Sequence, residues 1–422
     1  MKVKHYHLKK ELGLFLATFY GVGIILGAGV YFLIGQGAGI AGNSLWISFI
    51  IGAVVAIFTG LSYAELAGMY PRDAAEYVYT KHAFRKESLA FLVQWVMAFT
   101  VIVSGAAIAL GFGSYFSVMF GVNPIISAVG LILVLSLVNY TGLKESSRLT
   151  IFSTIVEIGG LLFIIFIGLS FIGRIDYFES PGGYSGIMAA ATLVFFAFIG
   201  FEELANMSEE AKNSKVIPKA IILSLIISTI LYILVSISVV SIIDWKELSL
   251  SQAPLASVAS KAVPESLFVI SIIALFSTSN TVLITLLVAS RLIYGLAENR
   301  SLPRFFARIG KRNTPYVAIA SVALLALVAV FVAGVTEIAL LTTLGLFLVY
   351  IFVNLSVIIL RYREPKVKRS FRIPLNIGKF PVTALIGLVT SVFMIINFSY
   401  TLILFEVVLI FLGFIFYKIF NR

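Results

Sequence analysis

The chain has 422 residues, 60% of them hydrophobic and only 12% charged, with a mean hydropathy of +1.05. No soluble domain hides that much apolar surface, so the composition is that of a polytopic membrane protein. The absence of cysteine excludes disulfides, thiolate metal sites and cysteine nucleophiles, and His5, His7 and His82 all lie outside the apolar stretches, which excludes a histidine metal centre in the membrane. The net charge of +11 marks membrane orientation rather than a nucleic-acid partner, as the loops show.

About twelve apolar stretches of helical length follow one another, at roughly 12–35, 44–69, 88–118, 123–140, 147–172, 186–208, 217–242, 266–297, 315–334, 336–360, 381–398 and 401–420. Those near the N-terminus are too long for a signal-peptide core, and no small-residue cleavage site follows one. The first contains Gly21-Val22-Gly23-Ile24-Ile25-Leu26-Gly27-Ala28-Gly29. Each glycine costs a helix interior about 1 kcal/mol relative to alanine, so four within nine residues predict an interruption. Gly23-x-x-x-Gly27 also fits close helix packing. The interruption is the stronger reading because span 6 carries a second such stretch, Phe196-Ala197-Phe198-Ile199-Gly200-Phe201-Glu202-Glu203. In a bilayer, broken backbone survives only where it is buried in protein or lines a cavity. Two interrupted helices at matching positions in two halves mark the binding site of a secondary transporter.

The loops fix the orientation. With the N-terminus in the cytoplasm, the inside segments hold 28 of the 31 Lys and Arg, and the outside holds only Arg174, Lys246 and Lys261. This asymmetry predicts a cell-membrane protein with both termini cytoplasmic. The two interruptions lie five spans apart, and five is odd, so the second set of five enters from the opposite side. The expected fold is therefore all-α, with about twelve transmembrane helices. It comprises a 5+5 inverted repeat over residues 1–180 and 181–362, followed by spans 11 and 12 over 363–422. A facilitator-type fold would place a long loop between spans 6 and 7, whereas the longest basic loop here, 361–380, separates spans 10 and 11.

Every Lys and Arg falls in a loop or at a span end, but several acids do not. Glu157 lies about ten residues into span 5, roughly 15 Å deep at 1.5 Å per residue. Glu202 and Glu203 follow the second interruption. A charged carboxylate at mid-depth costs roughly 2.5–3.5 kcal/mol even on forgiving scales, so Glu157 should hold a proton or face a bound cation, or else hydrogen-bond a neighbouring helix in its neutral form. Span 8 supplies the hydroxyl run Ser277-Thr278-Ser279, then Asn280 and Thr281, which suits a hard cation or serves as polar glue between helices. Glu65 and Arg72 flank one end of span 2 and read as a loop anchor or gate. Asn139, Asn206 and Asn354 are further candidates for buried polar groups.

Several segments together resemble the amino acid–polyamine–organocation (APC) superfamily of transporters. Gly21-Val22-Gly23-x-x-x-Gly27-Ala28-Gly29-Val30-Tyr31 is similar to its first-span signature. Tyr63-Ala64-Glu65-Leu66, Pro71 and Ala75-Glu76-Tyr77-Val78-Tyr79 resemble its loop after span 2. Phe195 to Glu202, Glu209-Glu210-Ala211-Lys212-Asn213 and Ile217-Pro218-Lys219-Ala220-Ile221 resemble its span 6 to 7 region. Ala289-Ser290-Arg291-Leu292-Ile293-Tyr294 and Leu302-Pro303-Arg304-Phe305-Phe306 resemble the end of its span 8. The resemblance covers nearly the whole chain and implies the fold of the leucine transporter. Two departures stand out: Ala74 and Ala75 replace a usual glycine pair, and Glu157 stands near the mid-span 5 lysine of many proton-coupled members.

The resemblance implies that a substrate carboxylate meets the backbone N–H groups of Ala28 and Gly29, next to Gly27, with the ammonium at carbonyls of Ile24, Phe196, Ala197 and Ile199. Helix ends can do this without charged side chains, because the new N-terminus offers free N–H groups and the new C-terminus free C=O groups. Phe195, Phe196, Phe198 and Phe201 are expected to gate the site. Glu157, Ser277 and Thr278 are expected at the coupling-ion site and Glu202 at the substrate site, and an amine substrate is favoured if Glu202 or Glu203 faces the pocket. The implied activity is secondary active amino-acid transport by alternating access, proton-coupled or exchanging. Sodium-coupled amino-acid or amine transport, monovalent-cation transport, and amino-acid sensing are the alternatives. The expected partners are a small amino acid or amine, a proton or sodium ion and membrane lipid, with no cofactor and no nucleic acid. With no His or Cys in any span and no nucleophile–base pair, the chain is not expected to be an enzyme.

Overall fold

The computed structural model describes residues 12–27, 29–71, 74–142, 147–298 and 301–420. The first expected span is split into α1 (Leu14–Leu26) and α2 (Gly29–Ala41), and α3 (Leu45–Met69) follows after a single 3-10 turn. Then come α4 (Ala75–Phe84), α5 (Glu87–Phe120), α6 (Pro124–Thr141) and α7 (Ser147–Gly168). The sixth span is split as well, into α8 (Gly183–Val194), a 3-10 segment (Phe195–Phe198) and α9 (Phe201–Asn206). Beyond it lie α10 (Val216–Ile242), α11 (Trp245–Ser249), α12 (Pro254–Ala262) and α13 (Ser266–Glu298). The chain ends with α14 (Tyr316–Val332), α15 (Val335–Arg363), α16 (Val382–Ile395) and α17 (Tyr400–Phe420). A two-residue-stranded hairpin, β1 (Asn376–Ile377) with β2 (Phe380–Pro381), sits in the long loop before α16.

Among the described residues, nine helical segments are long and apolar enough to cross a membrane, and α1, α14 and α16 are shorter apolar helices. Each of the twelve expected stretches corresponds to one helix or one split pair. The helix in the region expected as 381–398 covers only Val382–Ile395, because its C-terminal end tightens into i→i+3 bonds from Asn397 and Phe398 back to Met394 and Ile395. Three helices in loops were not anticipated. Two of them have local signals: the Asp244 carboxylate caps α11 through the Lys246 N–H at 2.8 Å, and Pro254 opens α12 at its first turn.

The two interrupted helices occupy the centre. α3 and α10 pack on one side of them, and α5, α13 and α15 build the opposite wall. α6, α14, α16 and α17 lie outermost and present large exposed apolar residues such as Leu137, Phe331, Val389 and Phe411, as lipid-facing helices do. One end of the bundle carries Leu14, α4 and the 361–380 loop; we call it the basic face. At the other end α11 and α12 cover α2, with Leu248 and Pro254 against Gly35 and Ser249 against Gly39.

Candidate functional site

The two interruptions touch. At Gly200 the backbone takes φ +123°, and a Cβ there would lie 2.2 Å from Ile24 Cγ2, so neither the conformation nor the space admits a side chain. At Gly29 a Cβ would lie 2.6 Å from the Ala197 Cα, which brings the start of α2 against the 3-10 segment. The Tyr232 hydroxyl of α10 bonds across both, reaching the Ile25 carbonyl at 2.5 Å and the Ala197 carbonyl at 2.7 Å. The break in α1 falls at Gly27, with φ −35° and ψ −123°; Ala28 lies outside the described residues.

A cavity opens beside this junction. Ile24, Gly29, Phe196, Ile199 and Glu202 of the expected substrate site line it. Ala197 and Gly27 do not; the Ala197 carbonyl is engaged by Tyr232, and that of Gly27 accepts the Ser277 hydroxyl at 3.1 Å. Phe201 is also displaced from the lining: it is fully buried between Tyr63 and Tyr350 at ring distances of 5.7 and 5.6 Å. Of the four phenylalanines expected to gate, only Phe196 reaches the cavity, because Phe195 packs on Phe347 and Phe198 on Phe49 and Tyr232.

Access is one-sided. Toward α11 and α12 the junction is sealed: Phe32 meets Phe196 edge-on at 5.8 Å and sits over Gly111 of α5. The Tyr115 hydroxyl there donates to the Tyr31 carbonyl at 2.8 Å and accepts the Leu255 N–H of α12 at 3.3 Å. Toward the basic face, Thr281, Thr285 and Val288 follow one face of α13 and, with Ile24, Ile199 and Glu203, remain partly exposed.

Glu157 lies fully buried in α7. Its carbonyl accepts the Tyr31 hydroxyl at 2.9 Å. Ser277 of α13 lies within electrostatic reach of the carboxyl group, but its hydrogen goes to Gly27, which leaves both carboxyl oxygens without a hydrogen-bond partner among the described residues. Glu157, Ser277 and Gly27 thus converge at the flank of the first interruption. Thr278 does not join them, because its hydroxyl bonds the Ala274 and Leu275 carbonyls of its own helix. Past the second interruption, Glu202 accepts the Gly200 N–H at 3.1 Å and the Tyr350 hydroxyl at 3.3 Å.

Glu65 anchors a cluster of charged groups. Its buried carboxylate takes Arg361 at 2.7 Å, Arg369 at 3.0 Å and the Ile373 N–H at 3.0 Å; Arg72 lies outside the described residues. The three asparagines all make hydrogen bonds, Asn139 and Asn354 buried and Asn206 half-buried. Asn354 joins Ser62, Thr59 and Tyr350, Asn139 donates to the Leu283 carbonyl, and Asn206 bonds Ala75 and Glu203. Sequence reasoning missed Tyr232 and Tyr31, although a tyrosine within an apolar span is itself a signal that a buried acceptor must exist.

A family model described as amino acid permease matches residues 12–413. The branched-chain amino acid permease BcaP of Bacillus subtilis is 29% identical, with the alignment covering 98% of this chain and 94% of that one. The methylthioribose transporter of the same organism is also 29% identical, over 87% and 84% of the two chains. The vacuolar cationic amino acid transporter 4 of Arabidopsis thaliana is 28% identical, over 85% of this chain and 64% of its own. All three are named as permeases or transporters rather than enzymes. With a family match that runs through both interruptions and the cavity walls, this chain is a multi-pass membrane protein of the amino acid permease family, within the APC superfamily.

Proposed function

We propose that this protein carries an amino acid across the cell membrane by alternating access, with the substrate's two charges held by the interrupted helices. The supporting observation is the contact between the two interruptions beside a cavity, where Gly29 begins a 13-residue helix and Ile24 and Phe196 lie near the ends of the preceding ones. The N–H end with its dipole suits a carboxylate, and the carbonyl ends suit an ammonium. In this reading spans 1–5 and 6–10 are inverted repeats, the basic face is cytoplasmic, and the structure faces inward.

Glu157 is the coupling residue in this proposal, carrying a proton into a site where its charge has no partner. The juxtaposed oxygens of Gly27, Ser277 and Glu157 favour a second version in which sodium is the coupling ion. Purified protein in liposomes, given labelled amino acids under a pH gradient or a sodium gradient, distinguishes them. Uptake that needs only internal amino acid is exchange; binding without uptake leaves a sensor, and ion flux without amino acid leaves a cation transporter. Glu157→Gln is expected to abolish gradient-driven accumulation while substrate still binds. Concentrative uptake by that variant at the wild-type level rules out the coupling role.

A further inference from the structure

A groove on the basic face, where the start of α5 meets the end of α15, takes no part in the central cavity. Its rim and its floor differ in chemistry. Lys86, immediately before α5, and Arg363, the last residue of α15, stand at the rim. Leu89, Ile358 and Ile359 of the same helices line the floor, about 4–8 Å deeper at 1.5 Å per residue. Phe84 closes one side, its ring edge-on to Phe352 of α15 at 6.0 Å. With 29 residues, α15 is about 43 Å long, the thickness of a bilayer with its headgroups. Its end therefore lies at headgroup level, and the floor of the groove lies at the level of the acyl chains.

The two cations are uncompensated. Lys86 is exposed and has no ion pair or hydrogen bond among the described residues. Arg363 donates to the Ala83 carbonyl at 2.6 Å but pairs with no acid among the described residues. No acid lines the groove. The acids next to them in the chain are already engaged, Glu87 by Lys81 at 2.8 Å and Glu364 by Tyr70 at 2.5 Å and His82 at 3.5 Å. Free phosphate matches the rim but leaves the apolar floor uncovered. A zwitterionic lipid covers the floor but brings an ammonium that the rim repels. An anionic phospholipid suits both parts.

We infer that this groove holds one anionic phospholipid, its phosphate between Lys86 and Arg363 and an acyl chain along Leu89, Ile358 and Ile359. The site is separate from the solute cavity and holds whichever solute is carried. Native mass spectrometry of delipidated protein, titrated with phosphatidylglycerol or with phosphatidylcholine, tests it. Wild type is expected to bind its first phosphatidylglycerol about tenfold more tightly than its first phosphatidylcholine. Lys86→Gln is expected to reduce that preference to about twofold. Lys311→Gln, at an exposed lysine of another loop, is expected to leave it unchanged. Ile359→Trp fills the floor with every charge retained and is expected to weaken phosphatidylglycerol binding. A wild-type preference below about threefold overturns the inference, as does a full preference in Lys86→Gln. An equal loss in Lys311→Gln assigns the attraction to the basic face at large, and undiminished binding by folded Ile359→Trp assigns it to phosphate alone; either result also overturns it.

Discussion

Gly200 does two things that no other residue can do there. It adopts φ +123°, and it leaves room for Ile24 where a methyl carbon would sit 2.2 Å from Cγ2. Gly200→Ala is therefore expected to cost about 1–3 kcal/mol from backbone strain alone, with further loss from displacing Ile24, and to abolish transport. Gly159 of α7 is the control: a Cβ there meets nothing within 4 Å. Gly159→Ala is expected to leave stability unchanged or raise it by about 1 kcal/mol at most. Thermal unfolding in detergent, compared between the two variants, measures the difference. Both glycines lie in apolar spans, and the sequence alone separates them only because Gly200 sits among phenylalanines and acids rather than among other small residues. The cost to carbonyls was less legible. Ala197 and Gly27 stood in the right stretch, but the donors that occupy their oxygens, Tyr232 and Ser277, come from α10 and α13, and no spacing rule relates those distant positions.

One element outside the spans whose contribution depends on pH is α4. It carries Glu76, fully buried, whose carboxyl accepts the Tyr63 hydroxyl at 3.0 Å and has a second oxygen without a partner. Burial raises its pKa above the ordinary value near 4.5. The folded state then binds more proton than the unfolded one between the two values, so stability is highest below the unfolded value and declines as pH rises through the folded one. Glu76→Gln removes this dependence. As pH rises above the ordinary carboxylate range, the wild type is expected to lose more thermal stability than the variant, measured as melting temperature against pH. The same helix is fastened to its neighbours: Arg363 donates to the Ala83 carbonyl at 2.6 Å, and Glu364 joins Tyr70 at 2.5 Å and His82 at 3.5 Å. With Glu65, Arg361 and Arg369, these contacts tie the basic-face ends of α3, α4 and α15 together. A short helix of this kind has no membrane-length apolar run, so hydropathy passes over it, and its buried acid is visible only once packing is known.

At the scale of the whole chain, hydropathy and charge carried most of the information. The twelve stretches, the two interruptions and their pairing all follow from apolar length and glycine placement, because bilayer thickness and helix rise leave few alternatives. What escaped was lateral: which side of each helix meets the cavity, since an apolar side chain suits both lipid and core. That is why Phe195, Phe198 and Phe201 were assigned to a gate although they pack into the interior. The cysteine-free chain allows a direct test of the proposed orientation. Single cysteines at the exposed positions Arg174 and Lys246 are expected to react with an impermeant thiol reagent applied outside intact cells, and one at Lys311 only after the membrane is opened. Reversed labelling would invert the orientation. The clamp at Tyr232 has a consequence of its own. A phenol owns one hydrogen, yet this one stands within bonding range of two carbonyls, Ile25 and Ala197. At any instant one of them is served and the other is not, so a swing of a single O–H bond shifts the tie between the first interrupted helix and the second.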